Sequence, residues 1–200
     1  MNKTALFKIG YGLYILSSKD ENGKDVGCVI NTASQVTDTP LRVTVTVNKN
    51  NYTCQSIAKT GVFTVSMLDT TAPFDMFKSF GFRSSKDCDK FSGVEVKRDE
   101  NGVVYVTEHT NSFLSCKVYD SVDLGTHILF IADVLDADVF NDEVSITYNF
   151  YQQVTKPAPV KTENKKGYRC TICGYFHEGE ISDDFICPIC KHGRDAFKAE

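Results

Sequence analysis

The sequence predicts a mainly β protein, an antiparallel barrel with a few short helices, followed by a small metal-binding domain. About seven short strand-like segments follow one another with one or two helical segments between them, which is typical of an antiparallel barrel and not of a helix-alternating parallel sheet. A lysine- and proline-rich stretch then interrupts the apolar pattern. Four of the eight cysteines come after it, in two Cys-x-x-Cys pairs.

Composition excludes several classes of function. The 200 residues are 42% hydrophobic and 24% charged, which is ordinary for a protein that buries a core. A formal charge of -4 disfavours a nucleic-acid surface, and no apolar run reaches the roughly 18 residues of a membrane span. No secretory signal is recognisable at the N-terminus. We therefore expect a cytoplasmic protein without nucleic-acid or membrane partners, in which the scattered Cys28, Cys54, Cys88 and Cys116 are free, buried thiols.

The first strands are predicted from residue patterns. Residues 6–15 have mixed spacing that indicates a short helix turning into a strand, which ends at a polar turn over residues 17–23. Residues 26–33 are strand-like, and the polar residues 34–40, which end in a proline, are predicted as a loop. Residues 41–47 alternate with period two and form the clearest strand.

A polar turn over residues 48–53 leads into a helix that is predicted to stop at Gly61. A turn of this kind offers unpaired backbone N–H groups, side-chain donors and a cation, so it is suited to hold a phosphate group. An ordinary helix cap has the same pattern. Spacing alone leaves both interpretations open.

The remaining segments complete the predicted barrel. They are a strand at residues 62–68, a short helix at 73–80, a glycine- and serine-rich loop at 81–87, strands at 103–107, 113–119 and 127–139, and an apolar, aromatic segment at 144–151.

The sequence divides into two predicted domains. Residues 1–155 form the barrel and residues 156–166, which are rich in lysine and proline and poor in apolar side chains, form a flexible linker. Residues 167–200 form the second domain. Because it lies below the roughly 40 residues at which metals or disulfides become necessary, a bound metal should supply most of its folding free energy.

The second domain carries a predicted metal site made of Cys170, Cys173, Cys187 and Cys190. The two pairs, separated by 13 residues, can place four thiolates at the corners of a tetrahedron, as a zinc or iron ion requires. A structural zinc ribbon uses the same geometry, so the cysteines alone leave zinc and iron open. From residue 161 to 200 there are seven Lys or Arg and seven Asp or Glu, which disfavours a nucleic-acid ribbon.

The residues around these cysteines resemble rubredoxin, in the short form found at the end of rubrerythrins. The resemblance rests on YRCTICGY at residues 168–175 and on CPIC at residues 187–190. It implies one iron ion that is held by four cysteines and carries single electrons. The sequence departs from the family at Lys191, where a glycine usually follows the last cysteine.

The first 155 residues resemble the flavin reductase-like, FMN-binding split-barrel family. The resemblance rests on six stretches in order: YGLYI at 11–15, NTASQVT at 31–37, VNKNNYT at 47–53, FGFRSS at 80–85, DKF at 89–91 and GTH at 125–127. It implies a split β-barrel that binds FMN, accepts hydride from NAD(P)H and forms a homodimer with the flavin near the subunit interface.

The same resemblance implies three groups of cofactor-binding residues. The group along the isoalloxazine edge comprises Asn31, Thr32, Ala33, Ser34, Gln35, Val36 and Thr37. The phosphate cradle comprises Asn48, Lys49, Asn51 and Thr53. Further candidates for the phosphate or the ribityl chain are Arg83, Ser84 and Lys90.

His127 is the candidate catalytic residue. The resemblance implies a histidine that starts a strand beside the flavin and helps to seat the nicotinamide. The alternative is a partly buried strand histidine bonded to backbone, and titration near neutral pH permits either role.

The combination of the two domains resembles the high-molecular-weight rubredoxins of anaerobes. A flavin takes two electrons as hydride and releases them singly, and an iron centre accepts one at a time, so the resemblance implies a two-to-one electron converter. It also implies an electron-acceptor partner, a flavodiiron protein that reduces oxygen or nitric oxide. A contrasting hypothesis is an FMN-binding module with a structural zinc ribbon used for protein docking.

Overall fold

The computed structural model describes residues 1–2, 5, 8–157, 166–171, 174–188 and 192–199. The strands are β1 Tyr14–Lys19, β2 Asp25–Ile30, β3 Ala33–Asp38, β4 Leu41–Asn48, β5 Val62–Leu68, β6 Val96–Arg98, β7 Val104–Val106, β8 Thr110–Asp123, β9 His127–Val139, β10 Gly167–Cys170, β11 Phe176–Glu178 and β12 Phe197–Ala199. The helices are α1 Tyr52–Thr60, α2 Phe74–Phe82 and α3 Tyr148–Phe150, which continues as a π-helical turn at Tyr151–Thr155. The predicted mainly β fold is confirmed.

One antiparallel sheet contains most of the strands. Its order is β2-β1-β5-β8-β9-β4-β3, while β6 and β7 form a separate pair. The alternation in β4 is confirmed, because Val43, Val45 and Val47 are buried and the residues between them are not. These side chains pack with Ile57 of α1 and Phe63 of β5, and burying each large side chain contributes about 1.5–3 kcal/mol.

A second cluster of buried residues packs around α2. Phe77 packs on Tyr151 with ring centroids 4.5 Å apart, and Phe80 meets Phe91 edge-on at 5.1 Å. The same cluster includes buried residues of β1 and β7. The end of α2 therefore has a defined position relative to the sheet.

Helix α1 begins at the predicted polar turn and ends at the predicted glycine. The Asn51 side chain caps it by accepting from Thr53 N, and Gly61 adopts φ +70° and donates its N–H to Ile57 O. The Tyr52 hydroxyl donates to Asp20 Oδ2 at 3.0 Å. This bond ties the start of α1 to the turn between β1 and β2.

The predicted loop at residues 34–40 is wrong. Residues Ala33–Asp38 form β3, which pairs with β4 through a tight turn that includes a cis Thr39–Pro40 peptide. Nearly every residue of β3 is exposed, so neither face carries the apolar alternation that marks a half-buried strand. Strand β8 is also longer than predicted at both ends; residues 119–123 are all exposed, so the alternation of buried and exposed side chains is absent there. The segment predicted at 144–151 ends in the helical turns of α3.

The C-terminal residues form a small three-stranded sheet in the order β11-β10-β12. Cys170, Cys187, Ile181, Ala196 and Phe197 are buried at its centre. Residue 6, most of the linker (158–165), Cys173, Cys190 and Lys191 lie outside the described residues. In the described part of the chain, no helix has both the length and the apolar character of a membrane span.

Candidate functional site

A cavity of about 700 Å³ lies where the turn before α1 faces the loop after α2. Its lining from the barrel comprises Asn48, Asn50, Asn51, Tyr52, Gly81, Phe82, Arg83, Ser84, Asp87 and Cys88, and its lining from the C-terminal domain comprises Pro188, His192 and Gly193. The volume falls within the roughly 300–1,000 Å³ of small-molecule sites. Four of the predicted cofactor-binding residues, Asn48, Asn51, Arg83 and Ser84, are brought together here.

One wall is the turn that leads into α1, and it is closed by its own hydrogen bonds. Asn50 N donates to Asn48 Oδ1 at 2.9 Å, and Asn51 N donates to Asn48 O at 3.0 Å. No acidic residue lies in the first turn of α1. Because the N-terminus of a helix has a positive partial charge, this wall favours an anion such as a phosphate group.

The opposite wall is the loop that follows α2. Arg83 is exposed and Ser84 is half-buried. Lys86 N donates to Ser84 Oγ at 3.1 Å, and the Cys88 thiol donates to Ser84 O at 3.3 Å, which gives the loop a fixed shape. An arginine opposite a helix N-terminus is suited to bind a phosphate group, since its guanidinium can form two parallel hydrogen bonds.

Two of the predicted phosphate-binding residues lie outside this cavity. Lys49 Nζ is 2.5 Å from Asp123 Oδ2, and this lysine together with the Gly125 N–H lowers the pKa of Asp123. Thr53 is buried below the start of α1, where its side chain faces the Cys28 thiol. Lys49 would have to leave Asp123 to reach a phosphate group in the cavity.

Lys90, the third candidate for the phosphate or the ribityl chain, does not line the cavity. Lys90 is buried, and its Nζ donates to Gly27 O at 2.8 Å and to Phe80 O at 3.0 Å. Burial lowers the pKa of this lysine to about 8. The predicted residue therefore lies behind the cavity wall, because two carbonyl groups hold its ammonium there.

The predicted isoalloxazine group is not in the same cavity. Ala33, Ser34 and Gln35 line a second, more apolar cavity of about 370 Å³, beside Tyr14, Leu41, Val43, Val65, Met67, Leu114 and Val134. Thr32 Oγ1 donates to Thr46 O at 2.7 Å. Asn31, Thr32, Val36 and Thr37 line neither cavity.

His127 is the first residue of β9 and is half-buried. It lies opposite Asn48 where β9 pairs with β4. Its Nδ1 is 2.8 Å from Thr126 Oγ1, and its carbonyl accepts from Leu124 N at 2.9 Å. His127 lines neither cavity, but it is next to a residue that lines the first one.

The described part of the metal site fits a thiolate centre. The Cys170 and Cys187 side chains are 1% and 0% exposed. Gly174 N donates to Cys170 O at 2.9 Å, Cys187 N donates to His192 O at 2.8 Å, and Gly174 adopts φ +81°. Backbone hydrogen bonds therefore hold the chain in place at both cysteines, which suits a four-cysteine site. No group of three metal-binding side chains occurs among the described residues, from which Cys173 and Cys190 are missing.

Sequence reasoning missed Tyr52 and Cys88 as cavity residues. Tyr52 lies inside the polar turn that was recognised, and its position between Asn51 and Thr53 was the available signal. Cys28, Cys54 and Cys116 are buried free thiols as predicted, whereas Cys88 is half-buried and lines the cavity. Nothing in the sequence around Cys88 indicates this difference.

Comparison with known proteins gives matches over both parts of the chain. The family described as flavin reductase like domain matches residues 6–158, and the rubrerythrin, rubredoxin-like domain matches residues 168–198. The chain is 33% identical to the high molecular weight rubredoxin of Moorella thermoacetica, with 99% of each chain covered. It is 38% identical to the ferric-chelate reductase (NAD(P)H) of Archaeoglobus fulgidus, over 81% of this chain and 95% of the relative.

A solved structure has a similar fold. The NADH:FAD oxidoreductase of Streptomyces globisporus superposes with a TM-score of 0.66 at 18% identity, over 72% of this chain and 85% of that one. At this identity the similarity concerns the fold alone.

Proposed function

The chain belongs to the flavin reductase-like family and carries a rubredoxin-like domain at its C-terminal end, and from this premise we propose that it is an electron-transfer oxidoreductase. In this proposal it takes hydride from NAD(P)H onto FMN and passes single electrons through a four-cysteine iron centre to a partner protein. The observation that carries the proposal is the cavity that both parts of the chain line.

The residues of the cavity would hold the phosphate end of the cofactor. Arg83 offers a guanidinium group that can form two parallel hydrogen bonds, and Ser84 offers a hydroxyl group. The turn at Asn51 provides the N-terminus of a helix. These groups form one anion site, which supports FMN, with its single phosphate, rather than FAD. We propose residues 31–37 as the candidates for contact with the isoalloxazine ring. We propose His127 as the residue that helps to seat the nicotinamide.

When bound, flavin accepts two electrons as hydride and releases them singly, while a four-cysteine iron centre carries one electron. Cys170, Cys173, Cys187 and Cys190 would hold the iron. Pro188, which lies within the second cysteine pair, and His192 and Gly193, which follow it, line the proposed flavin cavity, and this supports transfer between the two centres.

For the domain boundaries we keep the division that the sequence predicts. We propose a flavin domain at residues 1–155, a linker at 156–166 and a rubredoxin-like domain at 167–200. The family matches, which end at residue 158 and resume at 168, support this division. The linker would let the metal domain reach an external acceptor, for which we propose a flavodiiron protein.

A homodimer and a cytoplasmic location complete the proposal. Strand β3 is exposed on both faces, and Val36 and Leu41 are large exposed apolar residues at the same edge of the sheet. A second subunit would cover such a surface. The free cysteines of the barrel support a reducing compartment.

The visible spectrum of the purified protein, with its metal content, tests the proposal. We expect flavin bands together with ferric-thiolate absorption, and we expect NADH or NADPH to bleach both. A protein with flavin and zinc alone would contradict electron transfer through the metal and support a docking module. Light scattering at micromolar concentration tests the dimer, which a clean monomer would exclude.

A further inference from the structure

Lys90 places a charge behind the cavity wall without lining the cavity. Its side chain is 3% exposed, and its Nζ donates to Gly27 O at 2.8 Å and to Phe80 O at 3.0 Å. Gly27 belongs to β2, and Phe80 belongs to the last turn of α2. A single ammonium group therefore connects a helix end to a strand, close to where the chain enters the loop of residues 83–88.

Ser85 connects the same loop to the same glycine. Gly27 N donates to Ser85 Oγ at 2.9 Å, and Ser85 Oγ donates to Gly27 O at 3.1 Å. A Cβ atom at Gly27 would lie 2.8 Å from Phe91 Cζ and 3.3 Å from Phe80 Cε1. The packing of the Phe91 and Phe80 rings against β2 therefore leaves little room for a side chain at this position.

These two anchors determine where the cavity-lining residues of the loop lie. Arg83 and Ser84 precede Ser85 directly, while Asp87 and Cys88 lie between Ser85 and Lys90. All four face the turn before α1 across the cavity. Loss of the Lys90 anchor would free one end of this loop and leave the carbonyl of Phe80 without this donor.

We propose that Lys90 is a positioning residue of the flavin cavity: its ammonium fixes the loop of residues 83–88 against β2 and thereby sets the affinity for the phosphate group of the flavin. This inference rests on the proposed binding of FMN. Lys90 acts through Arg83 and Ser84, without touching the phosphate. A flavin that lacks the phosphate group does not depend on it.

Because Lys90 carries a titratable charge, the binding of FMN should depend on pH. Burial lowers the pKa of Lys90 to about 8, and the groups that act on it electrostatically are the Cys28 thiol on β2 and Cys88 and Arg83 in the loop. A phosphate anion at this loop favours the protonated lysine, so FMN binding takes up protons near this pH.

The test compares FMN with riboflavin, which has the same ring but no phosphate. Dissociation constants are measured by flavin fluorescence for the unaltered chain, for Lys90→Met and for the control Lys86→Met, an exposed lysine of the same loop. We expect Lys90→Met to raise the dissociation constant of FMN roughly tenfold to a hundredfold and to leave that of riboflavin within about twofold. Lys86→Met should leave both within about twofold. An unchanged FMN affinity in Lys90→Met, or equal losses for both flavins, would overturn the inference.

A second measurement uses the unaltered chain, in case Lys90→Met does not fold. Calorimetric titration with FMN near pH 8, in two buffers of different ionisation enthalpy, should show proton uptake that riboflavin does not produce. If FMN binds without proton uptake, the inference about Lys90 is overturned, while the proposed function still stands. A chain that binds neither FMN nor riboflavin overturns the proposed function and this inference with it.

Discussion

His127 and Asn48 lie directly opposite each other at the end of the β4–β9 ladder. Asn48 lines the cavity and helps to close the turn before α1, whereas His127 is bonded to its neighbour Thr126. The candidate catalytic histidine is therefore one strand away from the candidate phosphate turn. This placement puts His127 next to the proposed phosphate site, and its proposed role in seating the nicotinamide is to be tested with a variant.

The first prediction concerns His127. We expect His127→Asn to lower kcat/KM for flavin reduction by NAD(P)H by roughly tenfold or more, because a misplaced nicotinamide reacts slowly. The dissociation constant of FMN should stay unchanged. Stopped-flow absorbance of the flavin measures the first quantity.

The matched control is His109→Asn, at an exposed turn where the histidine bonds to Thr71. Asparagine tolerates the φ of +54° that His109 adopts. Equal rates in the two variants would identify His127 as an ordinary strand histidine.

The second prediction concerns Arg83. We expect Arg83→Met to weaken FMN binding by roughly tenfold to a hundredfold, since a hydrogen bond between charged groups contributes about 1.5–3 kcal/mol. Arg98→Met is the control, because Arg98 pairs with Asp25 and lies outside the cavity. Fluorescence titration measures the dissociation constant of FMN for both variants. If the two variants bind FMN equally well, Arg83 is not a phosphate ligand.

The third prediction concerns the ion pair between Lys49 and Asp123. Asp123→Asn should release Lys49 toward the cavity and tighten FMN binding a few-fold at low salt, with less effect at high salt. Lys59→Gln is the control, because it removes a similar exposed pair with Glu21 at the other end of α1. If Asp123→Asn binds FMN no more tightly than the unaltered chain at low salt, Lys49 has no part in binding.

The fourth prediction separates the two electron-transfer steps. Cys187→Ser should abolish metal binding and electron delivery to a one-electron acceptor, while the flavin is still reduced by NAD(P)H. Cys116→Ser, which alters a buried cysteine of the barrel, should retain the metal. Metal analysis and acceptor reduction are the measurements. Undiminished delivery in Cys187→Ser would exclude the metal domain from the path.

The fifth prediction follows from the low pKa of Lys90. The folded chain releases this proton near pH 8 and the unfolded chain near its ordinary pKa of about 10.4, so between these values the unfolded state binds more protons. The contribution of Lys90 to the free energy of unfolding therefore rises with pH between these two pKa values, by at most about 3 kcal/mol. Urea unfolding at several pH values measures it. The rise should be absent from Lys90→Met and present in Lys86→Met.

The sequence predicted those elements whose side chains alternate between core and solvent. Strand β5 matches its predicted bounds, as does β9, and α1 ends at the predicted Gly61. Strand β3 was missed because both of its faces are exposed, so its position depends on backbone pairing with β4 and leaves no hydrophobic signal.

Single residues of the site were harder to predict than elements. Asn51 and Arg83 both line the cavity; the polar turn indicated the first, and the resemblance to the flavin reductase-like family suggested the second. Lys90, a candidate for the phosphate or the ribityl chain, lies behind the cavity wall, and a sequence does not show whether a lysine points into a cavity or toward carbonyl groups behind it. The role of Gly27 depends on the tertiary approach of Phe91 and Phe80, and so has no local signature.

The contacts at Gly27 also affect how the protein behaves in concentrated solution. Strand β2 is the outermost strand on its side of the described sheet, and unpaired backbone groups on such a strand can join a second molecule by intermolecular pairing. Ser85 and Lys90 occupy the N–H and C=O of Gly27 that would make this contact. The loop of residues 83–88 and Lys90 therefore cover part of this edge, and we expect variants that loosen the loop to lose solubility together with affinity for flavin.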